Sequence, residues 1–126
     1  MLERGFKKLL AEANAVIDTV SVNEAAALLT GEDAILIDVR EAKEREEDGG
    51  ITGSVHAARG FLEFHADPEH PLHIEDLGGG KRLILYCGTG GRSALAAKTL
   101  RDMGIPNVCH MAGGISAWTE AGGAVG

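Results

Sequence analysis

Arg82-Leu83-Ile84-Leu85-Tyr86-Cys87-Gly88-Thr89-Gly90-Gly91-Arg92-Ser93 is the stretch whose reading decides the fold. Residues 83–86 form an uninterrupted apolar run, the pattern of a strand buried on both faces of a parallel sheet. Gly88, Gly90 and Gly91 then make a tight loop. The residues from Ser93 to Met103 read as a helix, stopped by Gly104 and Pro106. Strand, glycine loop and helix in immediate succession define one unit of an α/β sheet.

The same alternation extends in both directions. Upstream, Leu2, Phe6, Leu9, Leu10 and Ala13 recur at helical spacing. The mixed charge of Glu3, Arg4, Lys7, Lys8 and Glu12 favours packing on the domain over docking on a membrane surface. Ser21-Val22-Asn23-Glu24 is a capping box that opens a helix over Ala25–Leu29. Ala34 to Arg40 is a second continuous apolar run ending in charge, and Glu41 to Asp48 is a charged, solvated helix. Ser54 to Ala57 reads as a short strand, and Phe61 to Ala66 as a short helical turn. Downstream come a strand over Asn107–Met111, the pair Gly113-Gly114, and a terminal helix around Trp118. The expected fold is an α/β domain with a mainly parallel sheet and right-handed crossovers.

Composition narrows the function. The chain has 126 residues, 44% of them apolar and 25% charged, within the range of one globular domain. No apolar run reaches the length of a membrane span, and the first residues lack the core of a signal peptide. Two cysteines make no disulfide framework, which points to a reducing, cytoplasmic setting. A net charge of −7 argues against a nucleic-acid or anionic-membrane partner. That charge is unevenly spread: residues 1–80 hold 7 basic and 17 acidic side chains, and residues 81–126 hold 5 and 2. Twelve of the 18 glycines fall at or after Gly78. A glycine-rich, locally basic stretch in an acidic chain suggests a small anion site. His65, His70 and His73 lie among acidic residues, but their spacing matches no metal site.

Ligands in such sheets bind beyond the C-terminal strand ends, where Cys87 sits at the mouth of a helix. Glycines 88, 90 and 91 are expected to take positive φ and turn N–H groups inward. The helix dipole and Arg92 add positive potential, and together these lower a thiol pKa. Cys87 is therefore expected to be a nucleophilic thiolate. Four residues separate it from Arg92, one fewer than in cysteine phosphatase rings. The shorter ring suits a single terminal sulfur better than a tetrahedral oxyanion. Cys109, mid-strand between Val108 and His110, reads as a packed core thiol.

Four motifs in order give the chain its resemblance to a known family, the rhodanese sulfurtransferases. Asp38-Val39-Arg40-Glu41 matches the family's Asp-x-Arg strand end. Gly50-Ile51-Thr52-Gly53-Ser54 resembles its Gly-His-Ile-Pro-Gly-Ala turn, with Gly50, Thr52 and Ser54 replacing His, Pro and Ala, and Ala58-Arg59-Gly60 follows. Cys87 to Ser93 matches the Cys-x-x-Gly-x-Arg-Ser loop, and Gly113 to Trp118 the closing Gly-Gly-x-x-Ala-Trp. The resemblance implies a three-layer domain with a five-stranded sheet and helices on both faces, over residues 20–126. Residues 1–19 would be a helical extension. It further implies a sulfur shuttle without metal or organic cofactor: Cys87 takes a sulfane sulfur from a small anionic donor such as thiosulfate. Cyanide or a thiol, that of a protein included, then removes it. Gly88, Thr89, Gly90, Gly91, Arg92 and Ser93 would hold the persulfide, with Ser93 also capping the helix. Arg59 would line the entrance, while Asp38 and Arg40 support the loops. The competing readings are a non-catalytic binding module and a cysteine phosphatase or arsenate reductase.

Overall fold

The computed structural model describes residues 2–31 and 33–126, so Met1, the first residue of the expected extension, lies outside it. Among the described residues five parallel strands form one sheet in the order β1-β5-β4-β2-β3. These are β1 (Asp18–Val20), β2 (Ala34–Asp38), β3 (Val55–His56), β4 (Arg82–Tyr86) and β5 (Val108–Met111). The helices are α1 (Phe6–Val16), α2 (Val22–Leu29), α3 (Ala42–Asp48), α4 (Leu62–Ala66), α5 (Gly91–Asp102) and α6 (Gly114–Glu120). Short 3₁₀ turns cover Arg59–Phe61 and Glu75–Leu77.

Side chains alternate across the pleat, so each buried strand feeds two cores. Leu83, Leu85 and then Cys87 face one side with Ile37, Val39, Ala94, Ala97 and Leu100. Ile84 and Tyr86 face the other with Val20, Ala25, Leu36, Ile51, Cys109 and Met111. Leu10 of α1, Leu62 of α4 and the inner face of α5 cover the first side. Val22 and Leu28 of α2, with Ile115 and Trp118 of α6, cover the second. This is the expected three-layer α/β architecture, and its sheet is parallel throughout. The two cysteines stand on opposite faces of it.

The capping box at Ser21 is formed as read, with Glu24 N–H donating to Ser21 Oγ at 3.1 Å and Ser21 N–H to Glu24 Oε1 at 2.9 Å. Strand β1 was not legible. Asp18-Thr19-Val20 is short and polar, and it is a strand because its backbone pairs with β5, Thr19 opposite His110. The division expected between residues 19 and 20 runs through this strand. Helix α1, which begins at Phe6 rather than Leu2, buries Ala13 and lays Phe6 against Gly91 of α5. At the other end the C-terminal residues return to the turn at 50–52: Thr52 N–H donates to Ala124 O, and Gly126 N–H to Gly50 O. Trp118 Nε1–H closes the same return on Ala124 O at 3.1 Å.

Candidate active site

Cys87 lies one residue past β4 and is buried, at 1% exposure. Its loop reaches α5 through Gly90, whose φ of +123° is open only to glycine without strain. That turn aims the Gly90 N–H at Cys87 Sγ, 3.1 Å away. Of the three loop glycines only Gly90 has positive φ, contrary to the expectation for all three. Gly88 and Gly91 leave room instead. A Cβ on Gly88 would stand 3.3 Å from Arg92 Nη2, and one on Gly91 3.1 Å from Phe6 Cζ.

The loop carbonyls are drawn to the opposite side. Ile115 N–H donates to Cys87 O at 2.9 Å, and Ser116 N–H to Gly88 O at 3.2 Å. The first turn of α6 thereby pulls the carbonyl oxygens away and leaves the N–H groups facing the sulfur. Gly114, at φ +58°, sits so close to Cys87 O and Gly88 O that a Cβ would collide with both. Gly113-Gly114 is therefore the clamp that holds the loop.

Burial would raise the Cys87 thiol, but hydrogen bonds outweigh it and bring the pKa below the ordinary value. They come from the Ser93 hydroxyl and from the N–H groups of Ser93, Gly90 and Thr89. Burial pushes the Cys109 thiol up. The lowered thiol is thus the one in the loop.

Arg92 has a second partner besides the Cys87 sulfur. Its guanidinium forms a two-pronged bond with Glu44 of α3, at 2.7 and 2.9 Å. Glu44 is held down to about 2 chiefly by that bond. The Arg92 charge is shared: Glu44 holds it most strongly, and the guanidinium also attracts the Cys87 sulfur, so loop N–H groups, the Ser93 hydroxyl and this cation act together on the thiolate. Ser93 does not cap α5. It lies inside the first turn, with Oγ donating to Gly90 O at 3.1 Å and standing 3.6 Å from Cys87 Sγ. His110, buried at the end of β5, places Nδ1 3.1 Å from the same Oγ. Glu44 and His110 were both missed, because their partners are 48 and 17 residues away in sequence.

Asp38 and Arg40 form a second buried site at the end of β2, whose last residue is paired with Tyr86. Arg40 grips Asp38 through Nε at 3.1 Å and Nη2 at 2.9 Å, and Nη2 also donates to Gly49 O at 2.7 Å. Arg45 Nη1 adds a bond to Asp38 at 3.0 Å. Burial would raise the Asp38 carboxyl, and the two arginines more than reverse it. Arg45 also explains the departures in the 50–54 turn. Its Nη1 occupies the space a Gly50 side chain would need and donates to Ser54 Oγ, while its Nη2 donates to Ser54 O, both at 3.0 Å. Glycine at 50 and serine at 54 accommodate one arginine.

The structure does not bring Arg59 to the loop. Its guanidinium joins Glu63 and Thr99, each at 3.1 Å, in a cleft with Arg4, Glu12 and Lys98. His65, His70 and His73 are each engaged with a backbone group. Among the described residues no three His, Cys, Asp or Glu side chains converge as metal ligands.

A family model for the rhodanese-like domain matches residues 21–121. The chain belongs to the rhodanese-like domain family. It is similar to a sulfurtransferase of Allochromatium vinosum, 26% identical over 106 residues, covering 84% of this chain and 89% of that one. An uncharacterised protein of Synechocystis is 31% identical over 85 residues, covering 62% of this chain and 48% of its own. The match thus spans about half the length of that relative. Among solved structures, a protein of unknown function from Rhodopseudomonas palustris, described as a possible tyrosine phosphatase, superposes with a TM-score of 0.94. It is 42% identical and covers 100% of this chain and 97% of its own. The human single-domain sulfurtransferase superposes at 0.67 with 28% identity, covering 81% and 95%.

Proposed function

We propose that the protein is a sulfurtransferase that carries sulfane sulfur on Cys87. The observation that carries the reading is the loop around Sγ, where N–H groups and a hydroxyl converge on one sulfur anion and Arg92, shared with Glu44, adds its charge. The Cys87 thiolate attacks the outer sulfur of thiosulfate, and the sulfur–sulfur bond of the donor breaks. Sulfite leaves with the electron pair, and Cys87 becomes a persulfide anion. The added sulfur keeps the single negative charge that the loop already accommodates. Cyanide or a thiolate then attacks that outer sulfur, leaves with it, and restores the Cys87 thiolate. The order is ping-pong. Two free, buried thiols suit a reducing cytoplasmic setting. Among the described residues no helix is long and apolar enough to cross a membrane.

The description of the Rhodopseudomonas palustris protein favours a second reading, a phosphatase. Ring size weighs against it, since a transferring phosphoryl group needs a wider ring. Intact-mass spectrometry after incubation with thiosulfate tests the choice. The wild type should gain one sulfur atom and lose it to cyanide, and Cys109→Ser should do the same. Cys87→Ser should gain none. Sulfur uptake by folded Cys87→Ser overturns the mechanism. Hydrolysis of an aryl phosphate without sulfur uptake establishes the second reading, and inertness in both assays the binding module.

A further inference from the structure

His110 is the penultimate residue of β5 and 5% exposed, and no step of sulfur transfer calls on it. Its Nδ1 nevertheless lies 3.1 Å from Ser93 Oγ, the hydroxyl beside Cys87. Ser93 has one proton and three neighbours: Gly90 O at 3.1 Å, Cys87 Sγ at 3.6 Å and His110 Nδ1. A thiol can donate its own proton to Oγ, leaving the Ser93 proton on Gly90 O. A thiolate only accepts, so the Ser93 proton must turn to the sulfur. Gly90 O tolerates that loss, because Ala94 N–H also donates to it at 3.2 Å.

The remaining competitor is His110. An unprotonated Nδ1 would attract the Ser93 proton away from the sulfur. A protonated Nδ1 donates to Oγ and leaves the proton for Cys87. We infer that His110 is a positioning residue whose Nδ1–H holds Ser93 Oγ as an acceptor and so directs the Ser93 hydroxyl proton to the Cys87 thiolate and its persulfide. The inference rests on the reading of Cys87 as a thiolate nucleophile. Burial keeps the imidazole below its usual range, and Thr19 and Leu85, which share its rung of the sheet, carry no charge. His110 therefore acts in its neutral form, with Nε2 unprotonated. Its ring borders a cleft of about 310 Å³ with Asn14, Thr19 and Thr89.

The test is the ultraviolet titration of the Cys87 thiolate, read as the difference from the matching Cys87→Ser protein. It needs no sulfur donor, so it stands apart from the outcome of the sulfur-uptake assay. His110→Leu should lower the thiolate fraction a few-fold at a pH below the midpoint, because the Ser93 proton still reaches the sulfur but from a hydroxyl no longer held and polarised by the Nδ1–H. His110→Asn, whose side-chain amide can donate from the Nδ1 position, should titrate close to wild type. Ser93→Ala should shift further than His110→Leu, and the double variant no further than Ser93→Ala. If His110→Leu does not fold, His110→Gln replaces it, since its amide falls at the Nε2 position. An unshifted His110→Leu, an Asn variant shifted as far as the Leu, or additive shifts in the double variant would each overturn the inference.

Discussion

Two anions lie side by side at the ends of β2 and β4, and the protein holds them by opposite means. Asp38 is gripped by two guanidiniums, Arg40 and Arg45, in a buried network. The Cys87 sulfur has N–H groups and one neutral hydroxyl, with a single arginine, Arg92, that is shared with Glu44. Two fixed guanidiniums suit a carboxylate that never changes partner. On the function proposed above, the sulfur is better served by backbone dipoles and one shared cation, which suit thiolate and persulfide alike. A structural anion and, on that reading, a reactive one then lie one rung of sheet apart.

The largest effect that would break this contrast is expected at the clamp behind the loop. In Gly114→Ala the new Cβ meets the carbonyls of Cys87 and Gly88, so the N–H groups lose their aim. Sulfur uptake measured by intact mass should fall by about two orders of magnitude or more, near 3 kcal/mol. Uptake close to wild type would show that the loop does not need its anchor.

At the structural anion the loss should appear in stability. Asp38→Asn leaves Arg40, 2% exposed, without its carboxylate, which costs about 3 kcal/mol for a broken buried pair. Thermal unfolding should show a drop of several degrees. The pH dependence carries the same sign. The folded Asp38 pKa is depressed, so its contribution is complete above the unfolded value and is lost as pH falls through the folded one. The wild type should therefore lose stability on acidification more steeply than Asp38→Asn.

Smaller is the pH profile of the reactive anion. Alkylation of Cys87 by iodoacetamide should rise with pH and level off below the ordinary thiol range, because the folded pKa is lowered. A midpoint at or above that range would remove the contrast between the two sites. The smallest change is expected for Glu44→Gln, which frees Arg92. Uptake from the dianion thiosulfate should improve a few-fold through KM, while an uncharged sulfane donor such as elemental sulfur should gain little. Equal change for both donors would show that Arg92 does not select by charge.

Residues 82–93 carried most of the fold in their own pattern. An apolar run, closely spaced glycines and a helix allow one local arrangement, and the nucleophile follows from its place at the strand end. Hydrophobic periodicity and turn chemistry are local properties, so sequence determined the parallel sheet and its two cores, and it singled out Cys87 as the candidate nucleophile. Tertiary structure alone decided what meets the loop. Strand β1 exists through its backbone pairing with β5, Arg92 turns to Glu44 on another helix, and Arg45 takes the space left by Gly50. His110 reaches Ser93 because β5 and α5 pack together. A side chain's local sequence sets its charge and reach, whereas the partner that satisfies it depends on distances that exist only once the chain has folded.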